Sequence, residues 1–285
     1  MTSRASEVVC AGLTTLDVVQ RFPGPLVRGV KAVSDDTEVA AGGPAANAAV
    51  TCAALGVPVV LVTAVGAGPT GRAARDDLER HGVRVVDCAP PDWQVPVASV
   101  LVEHDGTRTV VSPGARASEV RPSVEARELL ARASVVLLDG HHPRLADAAL
   151  AGSARVVVDA GSPKPHVEHW LPHVDVLAAS ADYASGLGLT AAQVLDHGRA
   201  AGCEAVVVTQ GAGDVLWAEG ERRGRRRPPA VAAVDTNGAG DAFHGGLVAA
   251  LAQGFDIAEA VRLATEVASL RVTAVGARAW LSLLG

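Results

Sequence analysis

The chain has 285 residues, of which 49% are hydrophobic and only 3% aromatic, and its formal net charge is −6 at pH 7. Such an apolar composition excludes an intrinsically disordered chain, and the length suits one large α/β domain. The acidic balance argues against a partner such as nucleic acid or an anionic membrane surface, which a basic face would bind.

Signals for secretion, membrane insertion or cross-linking are weak. Residues 1–7 lack an apolar signal core, and the longest apolar stretch, 48–67, is broken at Gly56-Val57-Pro58. The cysteines are scattered without a Cys-x-x-Cys spacing, so we expect free buried thiols rather than a zinc site or disulfides: Cys10, Cys52, Cys88 and Cys203. We therefore expect a soluble, cytoplasmic protein with no membrane span.

Strands and helices alternate over the first part of the chain. Buried strands are predicted at 8–13, 59–65 and from 82 onward, and helices at 48–55 and 72–81. A β-hairpin is predicted around Asp105-Gly106, with arms at 95–102 and 107–111, because Asp-Gly is a strong hairpin turn signal. Residues 20–40 are polar and mixed and do not have the pattern of core elements.

The second half indicates a parallel, doubly wound sheet. Continuous apolar strands are predicted at 135–138, 155–159, 174–177 and 205–209, with a helix at 191–201 between the last two. Ligands bind such sheets beyond the carboxyl ends of the strands. The polar residues that fall there are Asp139, Asp159, Ser180 and Thr209. Farther on, the basic run 222–227 is interpreted as a solvated loop rather than a nucleic-acid patch, and 257–270 as a helix.

The most informative stretch is Asp235-Thr236-Asn237-Gly238-Ala239-Gly240-Asp241, which leads into an Ala-rich apolar helix. Small residues at 238–240 let backbone N–H groups converge at the helix N-terminus, where unpaired donors and a partial positive charge favour anions. Asp241 enters the first turn and could take a proton from an attacking hydroxyl. An anion hole beside a base is what phosphoryl transfer requires.

This stretch resembles the Asp-Thr-x-Gly-Ala-Gly-Asp signature of the ribokinase-like (PfkB) family of carbohydrate kinases, and all six fixed positions match. The resemblance implies a three-layer α/β sandwich: a mostly parallel doubly wound sheet flanked by helices, with a small β lid. It implies a nucleotide- and substrate-binding core formed by residues 1–12, 41–94 and 113–285. The lid would comprise 13–40 and 95–112 and provide the contact of a homodimer.

Residues on the sugar side follow from a second match. Gly42-Gly43-Pro44-Ala45-Ala46-Asn47 resembles the family segment whose glycines and Asn lie against the sugar. Asp17 resembles the family aspartate that accepts hydrogen bonds from substrate hydroxyls. Arg108, on the lid hairpin, is either an ordinary exposed strand residue or a group that reaches an anionic substituent or the transferred phosphoryl group.

On the nucleotide side, Thr209, Gly211 and Gly213 resemble the family loop that lies by the phosphates or ribose, although the second glycine comes early. Thr236 belongs to the same predicted ATP site. Ala264 and Ala268 are predicted to support the adenine. Asp235 is expected to help place Mg²⁺ through water, and a monovalent cation such as K⁺ is a further candidate cofactor.

The chain departs from many relatives in the stretch that organises magnesium. Where they carry Asn-x-x-Glu after a mid-chain strand, this chain has Ser180-Ala181-Asp182-Tyr183, so Asp182 or water would substitute. Ketohexokinase-like and sulfofructose-kinase-like relatives also deviate here. The chain is similar to them in Gly-Gly-Pro-Ala-Ala at 42–46, Pro-Val-Ala at 96–98 and Val-Thr-Gln-Gly at 208–211.

The sequence thus predicts an ATP-dependent kinase that phosphorylates a hydroxyl of a small, ketohexose-like sugar. Asp241 would be the general base, and the amides of Gly238, Ala239 and Gly240 would form the anion hole. A nucleoside kinase and a non-catalytic sugar- or nucleotide-binding regulator are the alternatives. A dinucleotide-dependent dehydrogenase is excluded because no Gly-x-Gly-x-x-Gly follows the first strand.

Overall fold

The computed structural model describes residues 7–113 and 120–284. The strands are β1 (Val8–Ala11), β2 (Thr15–Arg21), β3 (Asp36–Gly42), β4 (Val59–Thr63), β5 (Arg84–Asp87), β6 (Val97–Val102), β7 (Arg108–Val111), β8 (Val135–Leu138), β9 (Arg155–Ala160), β10 (Val176–Ser180), β11 (Ala205–Thr209), β12 (Val215–Glu219) and β13 (Arg222–Arg226). The helices are α1 (Pro44–Ala54), α2 (Pro69–Arg80), α3 (Val124–Arg132), α4 (Pro143–Leu150), α5 (Pro165–Trp170), α6 (Ala181–Gly186), α7 (Ala191–Ala201), α8 (Ala239–Ala252) and α9 (Ile257–Arg271).

The main sheet has nine strands in the order β13-β12-β11-β10-β9-β8-β1-β4-β5. The seven strands from β11 to β5 are parallel, and β12 and β13 add an antiparallel edge. The inner strands are unbroken runs of buried Val, Leu and Ala, because helices cover both faces of a parallel sheet. The predicted three-layer, doubly wound α/β fold is confirmed.

A second, small sheet has four strands in the order β3-β2-β6-β7. It consists of β2 and β3, which follow the first strand of the main sheet in the chain, and of the hairpin β6–β7 that the Asp-Gly turn predicted. Asp17 lies on β2, and β3 runs directly into α1 through Gly42 and Gly43. The chain order therefore brings the two segments that match the family's sugar-side residues to one place.

Two buried helices, α1 and α8, pack unusually close because a glycine lies at their contact. A Cβ on Gly245 would come within 2.6 Å of the Ala48 carbonyl oxygen and 2.5 Å of the Thr51 Cβ. Gly246 allows a similar approach to α9, where a Cβ would lie 3.1 Å from the Cα of Ala264. Apolar residues surround α8 on all sides, as is typical of a helix in the interior.

One element prediction is wrong. The basic run at 222–227, interpreted as a solvated loop, contains β13, which pairs antiparallel with β12 as the edge of the main sheet. Its arginines meet carboxylates on neighbouring elements: Arg222 contacts Asp256 and Arg226 contacts Glu266. Charged residues are common on exposed edge strands, where they discourage pairing with other chains.

Two further expectations concern the interior and the membrane. All four cysteines are buried and free, as predicted. Within residues 7–113 and 120–284, none of the helices has the length and apolar character needed to cross a bilayer.

Candidate active site

The signature forms a tight turn at the N-terminus of α8. Gly238 is the N-cap residue and has a φ of 70°, a left-handed conformation that favours glycine. No side chain caps this helix, and the amide of Ala239 makes only a long, 3.4 Å bond to the carbonyl of Thr236. The first turn of α8 therefore offers backbone donors and the positive end of the helix dipole to an anion.

Asp241 lies in this first turn, half-buried, and its partner is Asn47 from the first turn of α1. The Asn47 Nδ2 donates to the Asp241 Oδ2 at 2.8 Å. The two residues meet because each lies four positions before a residue of the close helix contact, Thr51 on α1 and Gly245 on α8. Helix packing, rather than a loop, thus fixes the position of the predicted base.

The surroundings of Asp241 favour its neutral form. Burial raises the pKa of this carboxyl to about 6, and the charges of Asp159 and Asp139 act in the same direction. The hydrogen bond from Asn47 and the nearby His244 oppose them. A carboxyl with a pKa in this range can both accept and return a proton near neutral pH.

His244 follows Asp241 by one turn and is buried beside Asp159. Its Nδ1 lies 3.0 Å from the Asp159 Oδ2 at the end of β9, and both residues are less than 7% exposed. Burial alone would lower the pKa of His244, but the carboxylates of Asp159 and Asp241 outweigh it and the pKa is raised. Asp139 differs from Asp159 because its carboxylate accepts hydrogen bonds from backbone amides. These are the amides of Leu13 and His141, at 2.7 and 2.9 Å.

One cavity lies between α8 and the small sheet. It is lined by Asp17, Val19, Ala40, Ala41, Asn47, Val50, Thr51, Asn237, Gly238, Arg271, Ala277, Arg278 and Trp280. Its volume of about 20 Å³ is room for roughly one water molecule, so this side of the site is nearly closed. We call it the sugar-side cavity, since it unites Asp17 with Asn47.

The glycines predicted on this side support the walls of that cavity. A Cβ on Gly42 would lie 2.1 Å from the Asp17 Oδ2, and one on Gly43 would lie 2.4 Å from the Leu13 carbonyl oxygen. Gly43 also has a φ of 99°. Both positions therefore require glycine so that β3 can pass close to the Asp17 carboxylate and to the loop after β1.

A second, larger cavity of about 750 Å³ lies on the other side of the α8 N-terminus. Among its lining residues are Thr209, Gly211, Thr236, Ala239, Gly240 and Ala268, which include most of the residues predicted for the nucleotide. Its remaining wall is largely apolar and includes Pro228, Pro229, Val231, Phe243 and Val272. We call it the nucleotide-side cavity.

Two residues predicted for the nucleotide lie elsewhere. Ala264 is fully buried against Gly246 in the contact between α8 and α9, and Thr265, Ala268 and Ser269 line the cavity instead. Gly213 is exposed and is not among the lining residues; its amide closes a turn by donating to the Gln210 carbonyl at 2.9 Å.

Both oxygens of the Asp235 carboxylate accept hydrogen bonds from the protein. Its Oδ1 accepts from the Asn237 amide at 2.9 Å, and its Oδ2 accepts from the Gly276 amide at 3.0 Å and from Arg271 at 3.5 Å. Burial raises the pKa of this carboxyl, but these hydrogen bonds and the charges of Arg271 and Arg21 prevail and lower it. The role of Asp235 in placing Mg²⁺ through water stays a prediction.

The stretch that replaces Asn-x-x-Glu has a structural explanation. Ser180 is the N-cap of α6: its hydroxyl accepts from the amides of Asp182 and Tyr183 and donates to the Gly161 carbonyl at 2.8 Å. Across the two described ranges, 7–113 and 120–284, no group of three His, Cys, Asp or Glu residues could hold a metal ion. A preformed protein cage for Mg²⁺ is therefore not found there.

Arg108 begins β7 and crosses from the small sheet to the signature. Its Nη1 donates to the Asn237 side-chain oxygen at 2.7 Å. The contact joins the hairpin to the one free position of the signature, which sequence reasoning had left without a role. It brings Arg108 to the turn that precedes α8.

Two arginines of the C-terminal segment were not predicted at all. Arg271, which is 3% exposed, places its guanidinium beside the signature, and Arg278 contacts Asn47. No motif marks them, because nothing in the local sequence tells an arginine that folds back into the site from one on the surface.

This arrangement, an uncapped helix N-terminus between two cavities with a carboxyl group in its first turn, is typical of an enzyme that transfers a phosphoryl group between two small molecules. Comparison with known proteins gives the family. Residues 5–282 match the pfkB family carbohydrate kinase, and the chain belongs to this family.

Two curated relatives and one solved structure show the range of this likeness. A ribokinase of Bacillus subtilis is 27% identical over 246 residues, covering 83% of each chain. A 1-phosphofructokinase of Haloferax volcanii is 28% identical, covering 92% of this chain and 90% of its own. The structure of Arabidopsis thaliana ribokinase complexed with ribose and ATP has a TM-score of 0.82 and 25% identity, covering 99% of both chains.

The protein is therefore an ATP-dependent sugar kinase, and the alternative of a non-catalytic regulator is set aside. The family prediction is confirmed. The narrower likeness to ketohexokinase-like and sulfofructose-kinase-like members stays a prediction.

Proposed function

We propose that this kinase transfers the γ-phosphoryl group of ATP to a hydroxyl of a small neutral sugar bound in the sugar-side cavity. The observation that carries the proposal is the position of Asp241. It lies in the first turn of α8, and its partner Asn47 lines the sugar-side cavity. The signature turn just before it faces both cavities: Asn237 and Gly238 line the sugar-side cavity, and Ala239 and Gly240 line the nucleotide-side cavity. A hydroxyl there would be within reach of the base and of the anion hole.

Each group has one task in the proposed reaction. Asp241 accepts the proton of the attacking hydroxyl, and the amides at 238–240 bind the charge that develops on the phosphoryl group. Asp17 orients the sugar, since a carboxylate can accept from two neighbouring hydroxyls. Thr209, Gly211 and Thr236 meet the nucleotide, whose base rests on the apolar wall near Ala268.

Mg²⁺ is proposed to arrive with ATP, because this ion is commonly held by substrate phosphates and water with few protein ligands. Asp182, the exposed carboxylate at the start of α6, is the candidate for a water-mediated contact.

The small sheet is proposed to act as a lid. The sugar-side cavity is too small for a sugar in this arrangement, and the contact between Arg108 and Asn237 joins the sheet to the signature. Opening that contact would admit substrate, and closing it would exclude water from the phosphoryl group. The exposed Val39, Val97 and Val110 of the same sheet support its proposed role in a homodimer.

A neutral sugar is favoured over a phosphosugar because the cations of this cavity are already paired. Arg271 binds Asp235, and Arg278 binds Asp77. Arg108 is the remaining candidate for an anionic substituent. A nucleoside is disfavoured as acceptor, since Trp93, which could have stacked on a base, is 4% exposed and donates to the Ala64 carbonyl within the core.

A coupled assay of ADP release over a panel of sugars, phosphosugars and nucleosides tests this proposal. We expect a neutral pentose or hexose to give the highest rate of ADP release. Every phosphosugar and nucleoside of the panel should give a lower rate. A phosphosugar as the best acceptor would overturn the neutral assignment. ADP release that no acceptor stimulates would overturn the proposed transfer to a sugar.

The pH dependence should follow the Asp241 carboxyl. The base must be ionised, and burial raises its pKa to about 6, so kcat/KM should be constant above this value and fall as the pH drops below it. Initial rates between pH 5 and 8, with saturating ATP, measure this limb. Full activity at pH 5 would contradict the assignment of Asp241.

Turnover should not require K⁺. A monovalent cation site needs several free backbone carbonyl oxygens. Beside the signature, the carbonyls of Asp235 and Ala274 lie 3.4 and 3.1 Å from the Arg271 Nη1, so a fixed guanidinium already takes this position. Rates in tetramethylammonium chloride and in KCl at equal ionic strength should agree within error, whereas strong activation by K⁺ would refute this role of Arg271.

A further inference from the structure

The amide of Asn47 has partners on both sides, and they determine its orientation. Its Nδ2 donates to the Asp241 carboxylate at 2.8 Å, and its Oδ1 accepts from the Arg278 Nη1 at 3.1 Å. Because a guanidinium has no acceptor and a carboxylate has no donor, the reversed amide would face both partners with the wrong atom. Arg278 therefore selects the orientation in which an N–H faces Asp241.

Arg278 is itself held in place from the opposite side. Its Nη2 donates to the Asp77 carboxylate at 3.0 Å and to the Ala41 carbonyl at 2.7 Å. The Asp77 side chain is 8% exposed and also accepts from the Ala41 amide at 3.0 Å. A planar guanidinium that binds three acceptors has little freedom to turn. Asn47 thus meets a donor in a fixed position.

The contacts join four separate parts of the chain: Asp77 on α2, Arg278 in the C-terminal segment, Asn47 on α1 and Asp241 on α8. Arg278 also lines the sugar-side cavity, and its charge acts on Asp17 there. Among the described residues, no contact joins its guanidinium to the Asp241 carboxylate. Asn47 contacts both groups and therefore connects Arg278 to the base.

We propose that Arg278 is a positioning residue, which fixes the amide of Asn47 so that one N–H always faces the base. The proposal rests on the proposed function, in which Asp241 is the base. Asp77 anchors the guanidinium. The competing interpretation is structural: the Asp77–Arg278 pair would merely attach the C-terminal segment to α2.

The two interpretations differ in what an Arg278→Met substitution changes. Methionine keeps an unbranched stem and removes the donors. If Arg278 positions Asn47, kcat should fall by about 10- to 100-fold, since small displacements at a reacting centre have effects of this size. The acid limb of kcat should also move to higher pH by about one unit, because the Asn47 hydrogen bond lowers the pKa of Asp241 and would be weakened.

Other charges that face Asp241 stay unchanged in this variant: Asp159, Asp139 and His244. Arg262→Met is the matched control. Arg262 lies on the surface of α9 with its own carboxylate partners, Glu259 and Glu266, and its replacement should leave the kcat profile unchanged. Should Arg278→Met fail to fold, the same measurements can be made on Arg278→Lys. A single ammonium group cannot reproduce the planar geometry with which the guanidinium donates to both Asp77 and Asn47.

A double-mutant cycle with Asn47→Ala decides between the interpretations. If Arg278 acts through Asn47, the double variant should have the same kcat and acid limb as Asn47→Ala alone. A lower melting temperature with an unchanged kcat profile would establish the structural interpretation and overturn ours. Losses that multiply in the double variant would overturn it as well. Either failure leaves the proposed function intact, provided that wild-type protein phosphorylates a sugar.

Discussion

An Asp241→Asn variant should bind sugar and nucleotide but turn over about 10² to 10⁴ times more slowly than wild type, the range that a positioned general base contributes. Asparagine matches the carboxylate in size and can still accept from Asn47, so the shape of the site should be kept. It cannot accept a proton. Burial disfavours the charged form of Asp241, so its removal should not destabilise the fold. The measurement is kcat, with binding of both substrates by calorimetry.

Asp196→Asn is the control for this experiment. Asp196 lies on the exposed surface of α7 beside Arg223, and an exposed ion pair of this kind contributes little to stability. Its replacement should leave kcat unchanged. Retention of wild-type turnover by Asp241→Asn would show that another group accepts the proton.

A Gly240→Val substitution should strongly impair the use of ATP without unfolding the protein. A Cβ on Gly240 would meet no atom within 4 Å, and Gly240 lines the nucleotide-side cavity, so the branched side chain would project into the space proposed for the phosphates. We expect kcat/KM for ATP to fall on the order of 10²- to 10³-fold, as when an anion-hole donor is removed. Steady-state kinetics with ATP as the varied substrate measures this loss.

Gly240→Ala provides a graded comparison at the same position. Its single methyl group should cause a smaller loss than valine, and both variants should keep the melting temperature of wild type because no packed atom is displaced. Wild-type kinetics of the valine variant would mean that the phosphates do not pass the N-terminus of α8.

The fold could be predicted largely because its signals are local. Unbroken apolar runs such as 135–138 and 205–209 identify strands that are covered on both faces, and the polar residues that end them mark the ligand-binding edge. The signature at 235–241 predicted the turn at Gly238 from small residues alone. The edge strand β13 was missed because it consists of four arginines around one glycine and has no apolar face.

The site was only partly predictable, since its assembly depends on contacts between distant segments. The partnership of Asn47 with Asp241 depends on the glycine at the contact between α1 and α8, which no local pattern shows. Arg271 and Arg278 fold back from the end of the chain, and their sequence neighbourhood is unremarkable. The wall at 228–231 appeared in the sequence only as a Pro-Pro pair after a basic run.

The residues of the family motifs also proved to differ in what they contact. Gly42 and Gly43 shape the backbone near Asp17, and Asp235 secures the signature turn through Asn237 and Gly276. Ala264 stabilises the core. A motif therefore predicts where a site lies better than which atoms of it meet a ligand.

The most direct test of the proposed phosphoryl transfer is to identify its product. The reaction is monitored by ³¹P NMR with ATP, Mg²⁺ and the best neutral sugar of the panel. We predict a sugar phosphomonoester that appears in equal amount with ADP, and we predict that Asp241→Asn forms both products about 10² to 10⁴ times more slowly. ADP accompanied only by inorganic phosphate, or a phosphomonoester formed at the wild-type rate by Asp241→Asn, would contradict it.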